Sequence, residues 1–142
     1  MAFIRSLSIL FLIVQISFIT CKDEESKILV SDYEEVKDLP NHPEKLLIDV
    51  RGPEEIKEFG KIPTSVNIPF GELEKALQLP NEEFKKLYSF DKPELDHYII
   101  FHCYKGGRSQ QASEIAVKLG YTNIHNYLGS WVDWAEKEGL PK

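Results

Sequence analysis

Basic residues are in deficit in this sequence, and cysteine is scarcer still. Seventeen Lys and Arg face 23 Asp and Glu, for a formal net charge of -6 and a pI near 5.2. The cations are scattered rather than gathered on one stretch, which argues against a nucleic-acid partner, whose phosphates call for a clustered basic face. The two cysteines are Cys21 and Cys103. No His, Cys, Asp or Glu spacing resembles a metal-ligand set, so no metal and no cofactor is expected. Internal repeats and low-complexity tracts are also missing. What is present, 42% apolar and 28% charged residues, is ordinary for a chain that buries a core and far from the signature of disorder. A length of 142 residues leaves room for one domain.

There is likewise no apolar run long enough to span a bilayer, which takes roughly 20 residues. Leu7 to Ile19 is almost unbroken apolar sequence, Arg5 is the only charge before it, and Asp23-Glu24-Glu25 follows closely. A run of this length fits the core of a secretory signal better than a membrane anchor. Residues 1–21 are accordingly expected to be a removable signal peptide and 22–142 a single domain. The location that follows is the secretory pathway or the exterior, or the periplasm in a bacterium, with no membrane contact after the signal is removed. Loss of the leader near Cys21 would leave Cys103 as a lone thiol, a liability in an exported protein unless it is used.

Beyond the leader, short apolar runs alternate with amphipathic stretches, the order of an α/β fold with a mainly parallel sheet. Ile28-Leu29-Val30 is a candidate first strand. Ser31 with Glu34 three residues on reads as a capping box opening a helix through Tyr33, Val36 and Leu39. Leu46–Val50 reads as a buried strand carrying Asp49 at its C-terminal end. Pro53 and Gly60 bracket the next helix, with Ile56 and Phe59 facing inward. Val66-Asn67-Ile68 is a short strand. It is followed by two helices, one with Leu73, Ala76 and Leu77 on a face and one with Phe84, Leu87 and Tyr88. Tyr98–His102 is the clearest strand, and a helix with Ala112, Ile115, Ala116 and Leu119 in a stripe ends at Gly120. Asn123–Tyr127 and a terminal helix marked by Trp131 and Trp134 complete the order.

The segment with chemical meaning lies between that clearest strand and its helix: Cys103-Tyr104-Lys105-Gly106-Gly107-Arg108. Two glycines let the backbone curl so that successive N–H groups converge, and the following helix adds the positive end of its dipole. A thiol in such a cradle is drawn towards the thiolate, its nucleophilic form, with Arg108 and Lys105 reinforcing the effect. Four residues separate Cys103 from Arg108. Cysteine-dependent phosphatases use five, a wider bowl for a tetrahedral phosphate, so this tighter loop favours a single sulfur atom. His102 should point to the opposite side of the strand from Cys103 and is a poor general base. Asp49 and Arg51 are expected to brace neighbouring loops, and Trp131 and Trp134 to pack on the sheet.

Together with this loop, Leu47-Ile48-Asp49-Val50-Arg51, Gly60–Pro69 and Gly129-Ser130-Trp131-Val132-Asp133-Trp134 resemble, in order and spacing, the signatures of the rhodanese superfamily. The layout is most similar to its small single-domain thiosulfate sulfurtransferases. Lys61, Thr64-Ser65 and Tyr104 depart from the family's usual residues, which bears on donor preference. The resemblance implies a three-layer α/β fold and a sulfurtransferase in which Cys103 carries sulfane sulfur as a persulfide. Arg108, Lys105, Tyr104, Gly106 and Gly107 would form the substrate-binding loop. The implied partners are a small-molecule sulfur donor, thiosulfate or a relative, and a thiol such as glutathione or a cyanide acceptor. The alternative role for the same loop is a persulfide carrier or interaction module with little turnover.

Overall fold

The computed structural model describes residues 27–142. Five strands form one sheet: β1 (Leu29–Ser31), β2 (Lys45–Asp49), β3 (Val66–Asn67), β4 (Tyr98–His102) and β5 (Ile124–Tyr127), in the order β1-β5-β4-β2-β3. Every pairing is parallel, with Ile48 beside Phe101 and Ile100 beside His125 in register. A parallel sheet needs both faces covered, because its crossovers are helices that pack back onto it. Six helices do this: α1 (Tyr33–Lys37), α2 (Pro53–Phe59), α3 (Phe70–Gln78), α4 (Asn81–Tyr88), α5 (Gly107–Lys118) and α6 (Ser130–Glu138).

The alternation of side chains along β2 and β4 divides the core in two. On one face Ile48, Ile99, Phe101 and Cys103 pack with Leu73, Leu77, Phe84, Ala112 and Ala116 from α3, α4 and α5. On the other, Leu47 and Ile100 pack with Tyr33, Val36, Trp131, Trp134 and Ala135, with Phe59 of α2 against them. The result is the expected three-layer α/β arrangement. Both tryptophans are core residues, as expected. None of the described helices is long and apolar enough to cross a membrane.

Local details differ from the sequence reading in three helices. In α2 only Phe59 packs on the core, while Ile56 stays half-buried outside both clusters. The cap of α1 is Asp32, whose carboxylate accepts from the Glu35 N–H at 2.9 Å, rather than Ser31. Ser31 is taken into β1 opposite Tyr127, and the next side chain able to accept becomes the cap. Leu87 is 67% exposed, because the short α4 turns Phe84, not Leu87, into the core. Gly120 ends α5 as expected, with φ +98 just past the helix.

Candidate active site

Cys103 follows the last residue of β4, at the C-terminal edge of the sheet where parallel strands deliver their chains to ligand-binding loops. Its side chain is 1% exposed. The opening of α6 fastens this stretch from the other side: the Cys103 N–H donates to Ser130 Oγ at 3.1 Å. The Trp131 and Val132 N–H groups donate to the carbonyls of Cys103 and Tyr104 at 3.0 and 3.1 Å. With its carbonyls tied to one helix, the loop turns N–H groups inward. The Gly106 N–H points at Cys103 Sγ from 3.1 Å, and the hydroxyls of Ser109 and Ser130 lie 3.6 and 3.9 Å from it. Burial alone would raise the thiol's pKa. The Ser109 backbone N–H and hydroxyl, the Gly106 N–H and the Ser130 hydroxyl more than offset this, and the net shift is downward.

Only one of the two loop glycines is demanded by the backbone. Gly106 has φ +100, and a Cβ there would lie 2.4 Å from the carbonyl oxygen of Leu128. Gly107 has an ordinary helical conformation as the first residue of α5, and a Cβ would meet nothing within 4 Å. Tyr104 is half-buried and stacks at a tilt on Phe59, with centroids 5.5 Å apart. Lys105 is exposed.

Arg108 faces a partner that sequence reasoning did not name. Its two terminal nitrogens bind the two oxygens of Glu55, at 2.7 and 2.8 Å. Glu55, in the first turn of α2, also accepts from the Gly52 N–H at 3.0 Å. The Arg108 hydrogen bonds, with the Gly52 N–H, hold its pKa down at about 2. Ser109 and Ser130 also carry no role in the sequence reading, although Ser109 directly follows the Cys103–Arg108 loop and Ser130 stands inside the Gly129–Trp134 segment. For Glu55 the sequence carried no comparable signal, since the two partners are 53 residues apart.

Beneath the loop, Arg51 is wholly buried and donates to both oxygens of Asp49, at 2.7 to 3.1 Å, and to the Gly60 carbonyl at 2.9 Å. Its guanidinium lies 4.8 Å from the Trp131 ring. His102 lies 3.5 Å from Asp49 and 3.3 Å from the Cys103 carbonyl oxygen. Desolvation lowers its pKa to about 4, so it is neutral. These groups tie the ends of β2 and β4 together, the bracing role expected of Asp49 and Arg51.

Residues 32–137 match the family described as Rhodanese-like domain. The chain belongs to that family. A putative thiosulfate sulfurtransferase, mitochondrial, of Schizosaccharomyces pombe is 41% identical over 139 residues, covering 95% of this chain and 96% of its own. The human thiosulfate:glutathione sulfurtransferase is 47% identical over 65% of this chain and 80% of its own. The structure of the human single-domain sulfurtransferase TSTD1 superposes with a TM-score of 0.73 at 39% identity, over 78% of this chain and 98% of that one. The rhodanese-like fold expected from the sequence is therefore the fold observed.

These relatives correct the expectation of export. The fission-yeast protein and a thiosulfate sulfurtransferase of Saccharomyces cerevisiae are named mitochondrial, not secreted. The signal-peptide reading of residues 1–21 lies outside the described residues and rested on hydropathy. Hydropathy measures how readily a segment leaves water, not its destination.

Proposed function

We propose that this rhodanese-like protein is a sulfurtransferase in which Cys103 accepts sulfane sulfur, holds it as a persulfide and passes it to a thiol. The observation that carries the reading is a buried Sγ with an N–H at 3.1 Å and two hydroxyls within 4 Å, its pKa lowered. The thiolate attacks the terminal sulfur of an anionic donor such as thiosulfate, and a new S–S bond forms. The donor's own S–S bond breaks and its electron pair leaves on sulfite. The acceptor thiolate then attacks the outer sulfur, takes it as its own persulfide and releases Cys103 as thiolate. Charge is conserved in both steps, so the protein's task is to stabilise negative charge on sulfur, which a preorganised N–H such as that of Gly106 does.

In this reading the loop through Gly106 and Gly107 holds the persulfide, Lys105 and Arg108 attract the anionic donor, and Tyr104 lines the approach. The names of the relatives support thiosulfate as donor and glutathione as acceptor. They support a mitochondrial setting as well, where thiols are kept reduced and a persulfide has acceptors. Residues 22–142 are read as the single catalytic domain.

The decisive test pairs turnover with mass spectrometry. The wild-type protein should consume thiosulfate with glutathione or cyanide and, with acceptor withheld, gain one sulfur atom. Cys103→Ser should do neither, and sulfurtransferase activity in that variant would overturn the assignment.

A further inference from the structure

The ion pair between Glu55 and Arg108 crosses the edge of the sheet. Glu55 belongs to α2, which follows β2, and Arg108 to α5, which follows β4. The two strands are neighbours, but α2 and α5 pack on opposite faces. The clasp therefore spans the strand ends where Cys103 lies, and Arg108 and Cys103 interact electrostatically. It is only partly buried, with side chains 36% and 33% exposed.

Its chemistry is that of a bound anion. A planar carboxylate fills the guanidinium fork with two parallel hydrogen bonds, the geometry in which arginine takes oxyanions from solution. The Gly52 N–H fixes the carboxylate in place, and Glu55 is ionised throughout the working range of pH. The arginine that closes the loop is thus neutralised in the resting protein by a group of the protein itself.

We propose that Glu55 is a specificity-determining residue whose carboxylate occupies the Arg108 fork as an internal counter-anion, which an anionic sulfur donor binds by displacing. This rests on the sulfur-transfer reading. A dianion such as thiosulfate gains more from Arg108 than a singly charged carboxylate does, so the clasp yields to it and excludes small monocarboxylates. When sulfite has formed, the return of Glu55 to the fork helps to expel it.

The test separates binding from turnover. Thiosulfate binding is measured by calorimetry on Cys103→Ser, which has no nucleophile, and on the same protein carrying Glu55→Gln. Glu55→Gln keeps the shape of the side chain and removes its charge. It should tighten thiosulfate and sulfite by about fivefold, near the upper limit for a part-exposed ion pair. Adding Arg108→Gln should abolish that gain, because Glu55 acts through Arg108. Glu55→Asp, which is too short to keep both hydrogen bonds, should give a smaller gain. It also provides the measurement if Glu55→Gln does not fold. Unchanged or weaker anion binding in a folded Glu55 variant would show the clasp to be purely structural and overturn the proposal. Failure of the sulfur-transfer reading looks different, since wild-type protein would then bind thiosulfate without consuming it.

Discussion

Single side chains around Cys103 divide into those that hold charge on sulfur and those that hold the frame. His102 is of the second kind, although it adjoins the nucleophile. It is completely buried next to Asp49 and Arg51, and desolvation is the largest influence on it, lowering its pKa to about 4 from an ordinary 6.5. An unfolded chain therefore binds a proton at this site more readily than the folded one between those two values. Stability from this group is complete above pH 6.5 and is lost as the pH falls towards 4, by up to about 3 kcal/mol. Urea unfolding between pH 7 and 4 should show the loss, and His102→Gln should flatten that part of the profile. An equal slope in the variant would locate the acid sensitivity elsewhere. The sulfurtransferase rate should not acquire a pKa from His102, because both of its near neighbours belong to the frame and neither is Sγ.

At the scale of elements, the site is a junction of three: the end of β4, the start of α5 and the start of α6. Its narrowest point is Gly106, where the left-handed backbone and the Leu128 carbonyl leave no room for a side chain. Gly106→Ala should cost about 1–2 kcal/mol for the backbone conformation alone, and the overlap with Leu128 should add to that. Sulfurtransferase activity should fall sharply, while Gly107→Ala should be tolerated. Thermal unfolding and turnover of the two variants check this, and equal losses would contradict it. The junction also shows what could be read in the sequence. Tyr98–His102, the loop and the stripe of α5 were legible because each is a local pattern: a continuous apolar run, glycine chemistry and a helical repeat. Arg108's partner was not legible, since nothing local links a glutamate on α2 to an arginine on α5. The cap of α1 was misplaced by one residue for a related reason: Ser31 and Asp32 are both competent caps, and pairing of β1 with the distant β5 chose between them.

For the molecule as a whole, the sheet is the common floor of two separate cores, and β4 at its centre serves both. Phe101 is fully buried on the face that also holds Cys103, so a change there tests how closely folding and site formation are linked. Phe101→Ala should lower the unfolding free energy by about 3–5 kcal/mol, the usual cost of a large cavity. Turnover should fall in proportion to the fraction unfolded, as measured by denaturant titration, and a stability loss under 1 kcal/mol would mean that the core collapses around the gap. Fold class and layer order were legible in the alternation of strands and helices. Compartment was not, because an apolar stretch carries no address in its hydropathy.

The attachment of α6 to the nucleophile's loop has a consequence in time. Ser130, Trp131 and Val132 supply three of the contacts that shape the Cys103 stretch, yet they are made on the ribosome 27 to 29 residues after it. A growing chain that ends before them carries the cysteine without the clamp. Gly106 and Ser109 are already present in such a chain, but the Cys103 N–H and the two loop carbonyls have lost their α6 partners, and the cradle is complete only when the closing helix has been translated and docks.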